Sequence, residues 1–574
     1  MSECDDPRPT AELANLSSVK VGFKGDDMLA KSLSTGTMSA GKERKHSGKY
    51  DPKEGGKSPS LRPLIAVCVA CLLGAMYFLV QTDIFRIDAT SAALTDASAA
   101  YNVRVLPASL SDEALDAMPK DSFSYLAMID AGSSGCRAHV YRYGKLGSLS
   151  GPLYILPKHD SKKVKPGLSS FASQPADAGA SLQGLVDFLK EQVPEESWEQ
   201  TPIWLKATAG LRMVADHEKE QILESVRAFL GNSANSPFVF RPSYAKVIPG
   251  YEEGGFGWIA FNYLQKVIGP RKKQGADTVE PFAVVEMGGA STQVTQIVSS
   301  PAEAAKLPEK YRFSFAIEGE SFTLYTYSYL GYGAEQAREQ LNKYYTSNTK
   351  NQENVAVAQA GSSGKIIKDA CLNVGYERGE GTARDNFYEG AEGGFKIQGA
   401  AGDEKDCMHS LKALYQPLDT MSDKCEEDGP YSFHCVYQPS FLKDSKNFLV
   451  FENFFYTAKA VGIQPVDASR SQAEQFPLQT TPALIRAASK AVCSTPWAQF
   501  ASQFPKDSSP ADQNTRWCFS AAYTASFLMD GLGLPEDKVV TIQKEVDGSE
   551  VEWALGAAYK EASTFLKKTS LRPT

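Results

Sequence analysis

The chain has 574 residues, 42% of them hydrophobic and 22% charged, and a formal net charge of -8; this excludes a collagen, a mucin-like stalk or a wholly disordered chain and leaves ample sequence for a large core. Residues 1–62 hold 11 Lys/Arg against 9 Asp/Glu, so everything after them carries -10. Such a body would repel a polyphosphate chain, which argues against nucleic acid, while a small phosphorylated ligand remains compatible with local donors and a cation.

Residues 1–62 form a polar tail. The run 63–80, PLIAVCVACLLGAMYFLV, is the only long uncharged apolar stretch and would span about 27 Å as a helix. One membrane crossing is the natural expectation. A cleaved signal peptide is disfavoured by the 62 residues before it, and a buried core helix is favoured only by its modest length. Lys42, Arg44, Lys45, Lys49, Lys53, Lys57 and Arg62 precede the run, so the N-terminal side is expected in the cytosol and the body in the lumen or outside the cell. Seven of the 10 cysteines follow the run, which fits three disulfides and one free thiol, with Cys136 the natural odd one out. Zinc is disfavoured because no Cys or His pair there has metal-ligand spacing and the six histidines are scattered.

Residues 81–120, rich in Ala, Ser and Asp, are expected to be a stem, with a first lobe over 121–246. SYLAMID predicts a buried strand, AGSSG a tight turn and RAHVYRY an alternating strand. Leu182, Leu185, Val186 and Leu189 predict one helix; Ile222, Leu223, Val226, Phe229 and Leu230 predict another, ending at Gly231, with TPIWLKATAG as a strand between them. A second lobe, 247–547, opens on a helix carrying Phe256, Ile259, Ala260, Tyr263, Leu264 and Val267. PFAVVEMGGASTQVTQIV then repeats strand, glycine turn and strand. Residues 345–402 are expected to be loops, and 548–574 a segment returning to the first lobe.

A weak internal repeat organises this pattern. Ala127-Met-Ile-Asp-Ala-Gly-Ser-Ser-Gly can be laid over Ala283-Val-Val-Glu-Met-Gly-Gly-Ala-Ser, each with a carboxylate ending an apolar strand before a turn of small residues. Such a turn lets backbone N–H groups approach a phosphate while the carboxylate holds a hydrated metal. A third copy, Ala360-Gly-Ser-Ser-Gly-Lys, follows polar sequence with no strand or acid before it and is expected to be plain loop. Between the two copies, Glu252 and Glu253 precede a glycine pair at a helix start, where they are either a catalytic base or simply acids favoured by the helix N-terminus. Thr208 and Arg212 in KATAGLR either serve a phosphate or pack.

IDAGSSGCRAHVY, KATAGLRMV, IPGYEEGGFGWIAFNYL, VVEMGGASTQVT and FLVFENFFYTA resemble the five apyrase conserved regions of the GDA1/CD39 nucleoside phosphatases, in that family's order. PGLSSF, TLYTYSYLGYG, SFHCVYQPSF, WCFSAAY and VEWALGA extend the resemblance over about residues 121–565. It is nearest to Golgi-type guanosine diphosphatases. The resemblance implies an α/β fold of two lobes, actin-like (RNase H-like), with a nucleotide in the cleft between them. Glu253 then matches the family's base, and Ser291 and Gln293 match residues that position water. Asp130 and Glu286 match carboxylates holding Ca²⁺ or Mg²⁺ through water, and Ser133, Ser134, Gly135, Arg137, Thr208, Gly288, Gly289 and Ala290 match phosphate-contacting positions. Phe455, Tyr456 and Tyr523 are candidates for stacking on the base or for core packing.

Three positions depart from the family pattern. Cys136 stands where Thr or Ser is usual, Glu286 replaces the commoner Asp, and Cys435 stands where a Gly is usual. The implied disulfides are Cys371–Cys407, Cys425–Cys435 and Cys493–Cys518. The resemblance implies metal-dependent removal of the terminal phosphate from nucleoside diphosphates such as GDP or UDP, and from triphosphates, in the Golgi lumen by a single-pass type II protein supporting glycosylation. A broad-specificity extracellular apyrase and a non-catalytic nucleotide-binding protein of the same fold are the alternatives. The sequence sets no oligomeric state.

Overall fold

The computed structural model describes residues 103–273, 279–347, 355–357, 365–378, 395–401, 404–415, 432–467, 476–503 and 515–570. These lie in one compact unit, Ser98–Thr574. The apolar run 63–80, Cys425 and the third glycine–serine copy lie outside the described residues; among those described, no helix is long and apolar enough to cross a membrane.

Two seven-stranded sheets carry the architecture, a two-lobed α/β fold. The first contains β1 (Val105–Leu106), β2 (Ser124–Ala131), β3 (Cys136–Leu146), β4 (Leu153–Ile155), β5 (Asp160–Val164), β6 (Ile203–Ala207) and β7 (Ala245–Val247). Its main path runs β1-β3-β2-β6-β7. The second contains β8 (Ala283–Met287), β9 (Ser291–Ile297), β10 (Arg312–Ile317) and β11 (Glu320–Leu330), then, beyond β12 (Val355–Val357), β13 (Lys365–Asn373), β14 (Glu377–Arg378) and β15 (Phe395–Ala401), β16 (Phe448–Glu452), β17 (Leu478–Thr480) and β18 (Val540–Ile542). Its order is β10-β11-β9-β8-β16-β18-β17.

The internal repeat is topological. β2 pairs antiparallel with β3 and parallel with β6, as β8 pairs antiparallel with β9 and parallel with β16. Asp130 faces Arg137 across the first hairpin and Glu286 faces Gln293 across the second, so the two turns occupy equivalent places. Strands β2, β6 and β8 are apolar almost throughout because both faces are covered, the pattern expected of strands with parallel neighbours in an α/β protein.

Helices form where the apolar spacing places them, at Gln183–Gln192 and Asp216–Leu230. The third, Gly250–Leu264, stops before Val267 because Lys266 turns into the left-handed region at φ 59°. This helix is buried nearly all round, with Phe256, Trp258 and Phe261 at 0% exposure, which fits its place between second-sheet strands and the C-terminal helix Trp553–Ser570. The C-terminal helix also packs on β2, and the buried Lys206 Nζ, 2.6 Å from the partly exposed Glu561 Oε1, ties it to β6.

Two expectations change. Residues 103–120 belong to the folded body rather than a stem: β1 pairs with β3, and Asp112 anchors the helix Asp112–Asp116 to Lys266 at 2.8 Å. Within 345–402, expected as loops, β12–β15 form a four-stranded sheet, because strand pairing can satisfy the backbone where glycine-rich sequence gives no strong local signal. Cys371–Cys407 and Cys493–Cys518 are formed and Cys136 is a buried free thiol. Cys435 is disulfide-bonded, its expected partner Cys425 lying outside the described residues.

Candidate active site

The two glycine turns and the start of the helix Gly250–Leu264 converge on one cavity of about 160 Å³. Its walls include Asp130, Ser133, Ser134, Gly135, Arg137 and Thr208 from the first lobe, and Glu253, Glu286, Gly288, Gly289, Ala290 and Ser291 from the other side. Every expected phosphate-contacting residue is therefore at one place. A larger groove of about 780 Å³, lined by Pro175, Gly179, Glu224 and Phe229, gathers no such polar set.

Close packing explains the small residues of three other motifs. A Cβ on Gly210 of KATAGLR would lie 2.8 Å from Ser133 Cα, and one on Gly167 of PGLSSF would lie 2.6 Å from the Ser133 carbonyl oxygen. Gly333 backs the second turn in the same way, 2.4 Å from the Gly289 carbonyl carbon. The carbonyls of Gly288 and Gly289 accept from Ala334 N and Glu335 N at 2.9 Å, at the start of the helix Ala334–Ser347. Among the described residues no backbone carbonyl accepts from the amides of Ser133, Ser134, Gly289 or Ala290, leaving these as donors at the cavity wall.

Glu253 sits in the first helical turn, 6% exposed. Arg212 Nη2 donates to Glu253 Oε2 at 2.6 Å and to Ser291 Oγ at 3.1 Å, and Gln293 Nε2 donates to Ser291 Oγ at 2.6 Å and to Ser328 Oγ at 3.0 Å. Carboxylate, hydroxyl and amide thus form one connected group. A Cβ at position 254 would meet the hydroxyls of Thr295 and Thr326, each at 2.6 Å, so glycine after Glu253 lets the helix start lie against β9 and β11. Burial raises the Glu253 carboxyl, and the Arg212 guanidinium works against that rise and favours the ionised base.

Asp130 and Glu286 each present a buried oxygen without a hydrogen bond, Oδ1 and Oε2. Burial, then the charge of Glu253, pushes Asp130 up to about 7, and burial with Glu253, Glu452 and Asp130 pushes Glu286 well above the usual carboxylate range. Such an uncompensated set of hard oxygen donors fits a divalent cation.

Sequence reasoning missed Lys163, Glu452, Glu552 and Trp553 at the cavity, and did not see Arg212 as the partner of Glu253. Lys163 follows from strand register, since it pairs with Arg137 across β5 and β3. Glu452 closes β16 with φ 61° and ψ -115°, a conformation rare for a side-chain-bearing residue and found where function holds it. Arg137 is engaged by Glu550 at 3.2 Å and by Glu552. Tyr523 is not available to stack on a base: it is 0% exposed, its ring lies parallel to Phe519, and its hydroxyl donates to the Tyr332 carbonyl at 2.7 Å. Phe455 packs against Phe476, and Tyr456 is 38% exposed; neither lines the cavity.

Residues 117–574 match the family model described as the GDA1/CD39 (nucleoside phosphatase) family. The chain belongs to this family. It is 32% identical over 440 residues to a guanosine-diphosphatase of Schizosaccharomyces pombe, covering 76% of this chain and 73% of that one. It is also 32% identical to probable apyrase 3 of Arabidopsis thaliana, covering 75% and 81%, and 27% identical to human nucleoside diphosphate phosphatase ENTPD5, covering 76% and 86%. Among solved structures, nucleoside triphosphate hydrolases from Neospora caninum share the fold at TM-score 0.52 and 17% identity, over 78% of this chain and 93% of that one. Membership and relatives together make this GDA1/CD39 protein an enzyme of nucleoside phosphate hydrolysis.

Proposed function

We propose that this protein removes the terminal phosphoryl group of nucleoside diphosphates, GDP or UDP first, and of triphosphates, by direct attack of water. The observation that carries the proposal is the Glu253–Ser291–Gln293 group bound together by Arg212 between the two glycine turns. Glu253 takes the proton from the attacking water, while the Ser291 hydroxyl and Gln293 amide orient that water. The amides of Ser133, Ser134, Gly289 and Ala290, the Thr208 hydroxyl and Arg137 hold phosphate oxygens, and backbone donors fixed in advance cost no reorganisation as charge moves. Asp130 and Glu286 would hold Ca²⁺ or Mg²⁺ through water, which when bound offsets charge on the phosphate oxygens.

Names of the relatives support the diphosphate preference, and the paired hairpins and parallel strands support an actin-like arrangement of the lobes. The apolar run 63–80 with its preceding basic cluster supports a single-pass type II anchor and a catalytic body in the Golgi lumen, where disulfides form and where the product of glycosyltransferases is a nucleoside diphosphate. Tyr456, one turn beyond Glu452 and exposed, remains the candidate platform for the base, beside Phe455.

The test is phosphate release by the full chain from GDP, UDP, ADP, GTP and ATP, with Ca²⁺, Mg²⁺ or chelator. The expected result is metal-dependent release, fastest from GDP or UDP. Equal or faster release from ATP and ADP would favour the extracellular apyrase reading, and nucleotide binding with no turnover would favour a non-catalytic protein.

A further inference from the structure

Two histidines that sequence spacing separates by twenty positions meet beside the cleft. His139 lies on β3, His159 immediately precedes β5, and the antiparallel register sets Val140 against Asp160, which brings the imidazoles together. Glu552, just before the C-terminal helix, completes the group, and all three side chains are nine-tenths or more buried, at 1%, 5% and 9% exposure. His139 Nδ1 is 3.1 Å from His159 Nε2 and 3.1 Å from Glu552 Oε2, and His159 Nε2 is 3.8 Å from the same oxygen.

Hydrogen bonding alone leaves this group unsatisfied. The carbonyl oxygen of Pro157, 3.2 Å away, accepts from His159 Nδ1, so His159 Nε2 faces the other two atoms as an acceptor. Glu552 Oε2 is also an acceptor, buried and without a hydrogen bond. A proton on His139 Nδ1 lies within reach of both, and among the described residues it bonds His159 rather than the carboxylate. With the proton on His139 Nε2 instead, a buried nitrogen that has no hydrogen bond here, the lone pairs of His139 Nδ1, His159 Nε2 and Glu552 Oε2 would meet on one cation. Tetrahedral zinc bonds of about 2.0–2.1 Å place ligand atoms about 3.3–3.4 Å apart, which the three observed separations bracket. The carbonyl behind His159 Nδ1 is the outer partner that metal-bound histidines usually have.

We propose that His139, His159 and Glu552 bind one divalent cation of the zinc type, distinct from the oxygen-donor site at Asp130 and Glu286. Its role is a clasp: it joins the C-terminal segment to the β3–β5 edge of the first lobe. Glu552 uses its other oxygen, Oε1, to engage Arg137, so the clasp also fixes that wall of the phosphate cleft.

The test uses the full chain, purified in detergent, stripped with chelator and supplied with excess Mg²⁺ to occupy the oxygen-donor site. Titration with Co²⁺ alone should give an intense visible band of tetrahedral cobalt saturating at one equivalent, together with a higher unfolding midpoint. His159→Ala and Glu552→Gln should each abolish the band while keeping the far-ultraviolet circular dichroism of the parent. His159→Cys should keep a band and add thiolate-to-cobalt charge transfer, a gain that a merely misfolded chain could not show. Absence of a tetrahedral band in the parent, or a band that survives both His159→Ala and Glu552→Gln, would overturn the proposal.

Discussion

The two glycine turns are built on the same scaffold and carry different side chains around it. In each, an antiparallel hairpin with a parallel strand beside it places a carboxylate at the mouth of a tight turn. Around the first turn the residue opposite the carboxylate is Arg137, and Lys163 stands beside it in register, so this side supplies positive charge and hydroxyls. Around the second, the residue opposite is Gln293, the neighbours are Ser291 and Glu253, and the turn itself has almost no side chain. On the proposed function, the repeated backbone fixes where a polyphosphate would lie, and the side chains at matching register positions would divide the work into holding the phosphate and directing water.

The strongest way to break this division is Glu253→Gln, which removes the base and leaves shape and packing in place. A fall in kcat of about 10³-fold is expected, with the far-ultraviolet circular dichroism of the parent; a variant with parental kcat would remove the second turn's assigned role.

A sharper comparison sets Gln293→Ala against Arg137→Ala. Loss of the amide that orients Ser291 should lower kcat roughly 10²-fold with KM little changed. Loss of the guanidinium should instead raise KM about tenfold, the cost of a hydrogen bond to a charged group. Steady-state kinetics on GDP distinguishes them, and the same pattern from both variants would mean that the turns are not specialised.

The smallest effect concerns Cys136, in the first turn's strand. Burial pushes its thiol from 9.0 up to about 12, so in the folded protein it should stay unmodified by iodoacetamide at pH 8.5 and react on unfolding. Because the folded value lies above the unfolded one, its contribution to stability is complete below pH 9 and is lost as pH rises toward 12. Ready alkylation of the native protein would show that the first turn opens.

Much of this division was legible in the residues. The strands, the two turns and the acid ending each first strand follow from apolar runs broken by glycine and serine, which are local signals. The family motifs then placed Glu253, Ser291 and Gln293 in roles whose geometry the structure shows as one bonded group. Tyr523 stayed open between stacking and packing because a tyrosine in an apolar helix has the same local pattern whether its ring faces a ligand or the core; the Phe519 ring and the Tyr332 carbonyl decide for packing. Residues 103–120 were misplaced for a related reason, since a two-residue strand paired with β3 leaves almost no periodicity to find.

By itself, then, the sequence determined the hairpins, the buried helices, the carboxylates and the family, all of which depend on residue type and short-range spacing. Tertiary structure decided everything set by partners far apart in the chain: Arg212 against Glu253, Lys163 and Glu552 beside Arg137, and His139 beside His159 and Glu552. The same holds for the charge. A body of -10 remains unsuited to nucleic acid, but folding buries Glu286, Glu253 and one oxygen of the half-buried Asp130 around one small cavity, where their repulsion in a low dielectric favours a bound cation.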